Sequence, residues 1–345
     1  MILHYFPVAV YAMGENRKYF VFLSVALPYQ IAIMVEYVLK YGRSRIMVNH
    51  KKRLNKSMLE RNIIGWAMLI PTVFLAFFII WRPVFIGFYQ SLFKMQGSKL
   101  IEFVGLKNYM IVLKDTNFLK TLGNTFKYVG LSLLIGYPIP LIIAVLLNES
   151  RHCKSFFKAA TYLPVVLPGI AVYMLWTQMY LPGKGGLLNQ VLSLFGADPY
   201  TWLQDSKNTI LWIGITMTWR GMGGTILMYL AALQGVNREL YEASIMDGAG
   251  LRVRIRHIMM PEVLPVALLM LVRQIIGVFQ VMEEPLTMTG GGPNGASTSL
   301  ALLGYNYAFK FFQFDRSLAV GGITFIILIC VTFVYLKLEK KLSED

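Results

Sequence analysis

A chain of 345 residues that is 56% apolar and only 15% charged, with a mean hydropathy of +0.55, reads as a polytopic membrane protein rather than a water-soluble globule. The net charge of +15 would suit a polyanion binder, but the Lys and Arg residues concentrate in short loops between apolar runs, the pattern of membrane orientation. No nucleic-acid partner is expected, and Cys153 and Cys330 have neither metal-ligand nor disulfide spacing.

In chain order, residues 1–46 read as an N-terminal extension. Phe20 to Leu39 is an apolar run of spanning length, interrupted by Pro28 and Glu36, so an extra span is expected there. Met47 is an alternative start that would leave those residues outside the core protein, and no small-residue cleavage site follows the apolar run. Residues 47–62 form a basic cytoplasmic segment; across 40–62, eight Lys or Arg face one acid, Glu60. A transmembrane domain is expected over 63–340, with six spans at about 63–81, 122–147, 160–180, 209–233, 263–283 and 317–337. Starting inside at Arg61, alternation puts 148–159, 234–262 and the tail from Lys337 in the cytoplasm. Arg151, Lys154 and Lys158 support the first of these loops, and Arg238, Arg252, Arg254 and Arg256 the second.

The outer loops differ in character. Residues 82–121 are mixed and partly helical, and 181–208 carry Gly183, Gly185 and Gly186. Residues 287–299, TMTGGGPNGASTS, read as a flexible turn-rich segment.

The inner loop 234–262 is more than a polar connection. Glu239 to Asp247 suits one or two amphipathic helical turns, and Gly248 and Gly250 supply freedom for a bend. Leu251, Val253, Ile255 and Ile258 then alternate with Arg252, Arg254, Arg256 and His257, and Pro261 and Pro265 are expected to stop the stretch as hydrophobicity resumes. Helix, bend, helix and stop are what a docking element for another protein needs.

This loop resembles the cytoplasmic signature loop of permease subunits from binding-protein-dependent ABC importers. That pattern has Glu-Ala-Ala, three free positions, Gly, nine free positions, then Ile-x-Leu-Pro. Glu242, Ala243, Gly248, Ile258 and Pro261 fall on it, while Ser244 and Met260 replace its second Ala and its Leu. Asp247-Gly248-Ala249 matches the acidic version of the carbohydrate class, as does the run Gly290-Gly291-Gly292-Pro293; Phe103 to Tyr109 resembles a stretch that follows the family's first core span.

Catalytic constellations are missing from the sequence. No GxxxxGK[ST] loop, HExxH pair or GxSxG elbow occurs, and His4, His50, His152 and His257 are scattered. Energy must come from a partner or from an ion gradient. An ion-coupled secondary transporter would be expected to place carboxylates inside the spans. Here Glu283 and Glu284 are expected at an outer end, and Asp315 just outside the last span. A channel or scaffold would not explain the docking loop.

The resemblance therefore implies an all-α, six-span ABC importer permease core plus the extra N-terminal span, multi-pass in a bacterial plasma membrane. It implies no enzyme activity, catalytic residue, metal or cofactor in this chain, with ATP and Mg held by a partner ATPase. The implied partners are a second permease subunit in a heterodimer, two ATPase subunits, an extracytoplasmic solute-binding protein and the lipid bilayer. It assigns ATPase coupling to Glu242, Ala243, Ser244, Asp247, Gly248, Ala249, Ile258 and Pro261. For the pathway, Arg220 and Arg273 fall inside expected spans, where an arginine costs several kcal/mol unless paired or facing a polar cavity, and Trp219 is placed to stack on a sugar ring. The expected solute is an oligosaccharide, with a uronate-containing one suggested by the two arginines; a non-sugar solute is the alternative.

Overall fold

The computed structural model describes residue 67 and residues 69–150 and 154–342. The N-terminal extension with its apolar run, the basic segment 47–62 and Arg151 lie outside the described residues. The chain divides into two compact units, Lys94–Leu328 and the flanking segments up to Phe93 and from Ile329.

Helices occupy all six expected spans. The first is α1, Leu69–Ser91, which runs ten residues past the expected end at 81. A hairpin of β1, Phe93–Gln96, and β2, Lys99–Phe103, follows, turning at Gly97 with φ +58. It is an addition to the all-α expectation. Next come α2, Lys107–Lys114, and α3, Thr116–Glu149. The helices α4, Lys154–Val166, and α5, Gly169–Met179, replace the single span expected at 160–180. They meet at 98°, because Pro168 drives Leu167 out of helical backbone. An outer helix α6, Leu187–Leu194, leads to α7, Thr209–Leu233, then α8, Arg238–Met246, and α9, Leu251–Phe279. The chain closes with α10, Glu283–Thr289, α11, Leu300–Tyr305, and α12, Phe314–Leu342.

Three long helices each carry one π-helical turn: Phe77–Trp81, Ser132–Gly136 and Ile255–Met259. Each turn ends two residues before a proline, at Pro83, Pro138 and Pro261. Proline lacks the N–H for the ladder and crowds the carbonyl one turn back; a widened turn absorbs both defects without ending the helix. Pro261 and Pro265 therefore do not stop the inner loop. Its basic half is the first turns of α9, which is continuous from Leu251 to Phe279.

The centre of the Lys94–Leu328 unit is α7, packed on α3, α4 and α9. It is 25 residues long yet falls outside the helices apolar enough to cross a membrane by composition, since it carries Arg220, four glycines and four threonines. A span surrounded by protein needs less apolar surface and gains from small residues at its contacts. Outer and inner apolar cores flank it. The outer one includes Phe118, Tyr128, Tyr173, Ile213 and Phe279; the inner one Ala144, Ile226, Tyr229, Met259 and Val263.

The tightest backbone approach to α7 is at Gly223, where an added Cβ would lie 2.9 Å from the Tyr162 Cα on α4 and press on the Thr161 carbonyl oxygen. Backbone cannot yield there as a side-chain tip can. Gly223→Ala is expected to destabilise the membrane domain by about 1–3 kcal/mol, read as a lowered midpoint in detergent thermal unfolding; an unchanged midpoint would contradict the close packing.

Candidate functional site

At the inner face, Asn237 caps α8: its Oδ1 accepts from the backbone N–H of Glu239 at 2.8 Å and of Leu240 at 3.5 Å. At the other end Gly248 adopts φ +76. Its N–H donates to the Ile245 carbonyl at 3.0 Å, and the Ala249 N–H donates to the Ser244 carbonyl at 2.9 Å. These are the paired bonds of a Schellman close, which needs a left-handed residue at this position. The expected bend is thus at Gly248, while Gly250 has φ −65 and heads α9.

No residue of α8 is buried. Glu242 is exposed and pairs with Arg238 one turn away, Nε to Oε1 2.7 Å. Ala243 and Asp247 are exposed, Ala249 and Ile258 half-buried, and Pro261 exposed on α9. The Ser244 hydroxyl donates to the Tyr241 carbonyl at 2.6 Å. Leu240, Ile245 and Met246 present apolar side chains to the surface, Met246 at 87% exposure.

The second candidate region comprises two separate cavities that both lie against α3 and α7. The outer one, about 540 Å³, is lined by Leu119 to Leu131 of α3, by Ser206 to Leu211 and by Pro293, Asn294 and Ala296. Lys120, Lys127 and Lys207 lie on its wall with no acid in the lining, and none is ion-paired among the described residues. The Lys120 Nζ donates to the Asn294 carbonyl at 2.5 Å. The inner cavity, about 260 Å³, lies along the same helices, from Tyr128 to Gly136 on α3 and from Gly214 to Thr225 on α7. Arg220 and Arg273 both line it, with Gln274, Tyr173 and Glu284.

The two arginines that sequence singled out thus share one cavity. The Arg220 guanidinium lies 5.2 Å from the Tyr173 ring centroid, and its Nε is buried without a hydrogen-bond partner among the described residues. The Tyr173 hydroxyl donates to Glu284 Oε1 at 2.8 Å. Gly169, just past the α4–α5 break, makes room for the cluster: a Cβ there would fall 2.7 Å from Glu283 Oε1 and 2.8 Å from an Arg220 Nη. Glu284, expected at an outer end, lies past the end of α9 at Phe279 and also lines this cavity, because α10 packs on α5. Trp219 is not in the lining. It packs edge-on against Trp176, centroids 5.5 Å apart, beside the outer core.

The segment expected to be flexible, 287–299, is instead tied down from every side. The Ser297 hydroxyl donates to the Gly292 carbonyl at 2.7 Å and that of Thr298 to the Gly291 carbonyl at 3.1 Å. From α3, Asn124 Nδ2 reaches the Gly295 and Thr298 carbonyls, and the Tyr128 hydroxyl reaches that of Ser297 at 3.0 Å. Its glycines serve tight turns; its hydroxyls cross-brace them.

Residues 136–344 match the model of the binding-protein-dependent transport system inner membrane component family. A probable ABC transporter permease of Bacillus subtilis, YurN, is 32% identical over 292 residues, covering 83% of this chain and 99% of that one. This chain belongs to that family. The trehalose/maltose transport system permease MalF of Thermococcus litoralis is 33% identical over 284 residues, covering 80% and 94%. A crystal structure of a bacterial ABC transporter involved in the import of the acidic polysaccharide alginate contains a chain of the same fold, with TM-score 0.73, 23% identity and coverage of 82% and 97%. The protein is a multi-pass permease component of the cell membrane. Family membership also sets aside the ion-coupled alternative, which the carboxylate of Glu284 would otherwise have revived.

Sequence reasoning missed the lysines, Tyr173 and Glu284. Lys127 did carry a signal, since it lies five residues inside the span expected at 122–147. Tyr173 and Glu284 carried none, because only the helix break and the fold-back of α10 bring them together.

Proposed function

We propose that this permease subunit passes an acidic oligosaccharide inward along α3 and α7, driven by ATP hydrolysis on partner subunits that seize α8. A second permease chain would complete the pathway, an extracytoplasmic binding protein would deliver the solute, and two ATPase subunits would hold ATP and Mg. This chain supplies the gate and the lever.

The observation that carries the proposal is the form of the inner loop. A capped helix with no buried residue, bearing Glu242 beside exposed Leu240 and Met246, is hung between α7 and α9 by a glycine close. An amphipathic helix left free on a membrane protein's inner face suits a groove on another protein. Glu242 can exchange its exposed partner Arg238 for a donor on the ATPase, since an exposed pair of this kind is worth little. Movement of α8 would then rock the spans joined at Leu233 and Leu251.

The acidic class is supported by the successive cations in the two cavities. Lys120, Lys127 and Lys207 outside, then Arg220 and Arg273 inside, give a carboxylate-bearing solute favourable partners at each depth. Gln274 supplies an amide group for sugar hydrogen bonds.

Gly248→Pro removes both the left-handed backbone and the N–H bonded to Ile245. It is expected to leave the protein inserted and assembled while uncoupling ATP hydrolysis from uptake in proteoliposomes; normal uptake per ATP would contradict the docking role. Arg220→Gln with Arg273→Gln is expected to lower uptake of an oligogalacturonate at least tenfold and to spare a neutral maltooligosaccharide. Unchanged oligogalacturonate uptake would remove the acidic substrate.

A further inference from the structure

The free surface of α8 raises the question of what holds its other side. Of its nine residues, only Tyr241 packs on the inner apolar core, and it is half-buried. Its hydroxyl donates to both carboxylate oxygens of Glu149, each at 2.6 Å. Glu149 is the last residue of α3. Arg254, in the first turns of α9, completes the contact: an Nη lies 3.6 Å from Glu149 Oε2, and the guanidinium carbon lies 5.0 Å from the Tyr241 ring centroid. Both charged side chains are mostly covered, at 16% and 21% exposure. Burial and the Glu149 carboxylate push the Tyr241 hydroxyl up to about 12, so it stays protonated and donating.

This arrangement is not one that helix stability would select. A carboxylate at the C-terminus of α3 and a guanidinium at the N-terminus of α9 each oppose the local helix dipole. The Arg254 Nε is also buried with no hydrogen-bond partner among the described residues. Glu149 and Arg254 are tied to each other, and to Tyr241, at the expense of their own helices.

We propose that Tyr241, Glu149 and Arg254 form a strut that carries the displacement of α8 to α3. The chain joins α8 directly only to α7 and, through the Gly248 turn, to α9. α3 forms one wall of both cavities and packs along α7 and α9, but the lever itself touches α3 at its inner end through this contact. Hydrogen bonds to Glu149 give the lever a hold on the third helix. These are positioning residues: none touches solute or nucleotide.

The inference rests on reading 234–262 as the coupling loop, and the experiment separates the two. The full importer is reconstituted in proteoliposomes with its partners, and ATP hydrolysis and oligogalacturonate uptake are measured together. Tyr241→Phe keeps the ring over Arg254 and loses only the hydroxyl; Glu149→Gln keeps an acceptor and loses the charge. Each is expected to assemble normally, to hydrolyse ATP at a near wild-type rate and to lower uptake per ATP about three- to tenfold. The double variant should be no worse than the more affected single one, since both changes act through one contact. Wild-type uptake per ATP in the single variants, multiplying effects in the double, or loss of uptake that tracks loss of assembly would each overturn the strut. If Gly248→Pro uncouples while Tyr241→Phe does not, the strut alone fails; if neither does, the coupling reading fails with it.

Discussion

A cation inside an apolar span must be given a polar surrounding, and the Lys94–Leu328 unit is arranged around that demand. Lys127 and Arg220 sit within helices that hydropathy or length assigns to the membrane, and Arg273 lies well inside α9. Facing lipid, each would cost several kcal/mol. The fold instead places Lys127 on one cavity beside α3 and α7 and Arg220 and Arg273 on a second, where Tyr173 and Glu284 join Arg220. That cost is what singles these cations out in the proposed pathway.

Proline supplies the second organising effect. Where the helix widens into a π turn two residues earlier, a proline leaves the span continuous, as at Pro83, Pro138 and Pro261. At Pro168 the span breaks by 98° and its far half carries Gly169 up to the charge cluster, whereas Pro164 and Pro265 sit inside α4 and α9 without ending them. The same residue type thus gives a long rigid rod in α9, suited to transmit motion, and a fold-back beside the cavity. A pattern of residue types cannot distinguish the two outcomes, since Pro164 and Pro265 lie inside continuous helix while Pro168 marks a break.

Much of the fold was legible in the chain. Spanning length, loop charge and parity located helices for all six spans, and the spacing of Glu242, Ala243, Gly248, Ile258 and Pro261 located the inner loop. Gly248 was legible because a left-handed C-terminal close favours glycine. Other features depended on tertiary approach. Glycine and serine richness in 287–299 suggested flexibility, but hydroxyls bonding carbonyls across the loop, with Asn124 and Tyr128 from α3, fix it. Trp219 beside Arg220 suggested a sugar platform, whereas neighbouring residues on a helix point in different directions, and Trp219 turns to Trp176.

The central claim is that α8 is an inner-face lever held by a nucleotide-driven partner. Labelling of Met246→Cys, with Cys153 and Cys330 replaced by Ser, tests it most directly, using a membrane-impermeant maleimide on sealed vesicles of both orientations. Met246 is 87% exposed, so the cysteine should label rapidly in inside-out vesicles of the permease alone, fail to label from the outside, and become protected once the ATPase subunits assemble. Labelling from the outer face, or inner-face labelling unaffected by the assembled ATPase, would contradict the account.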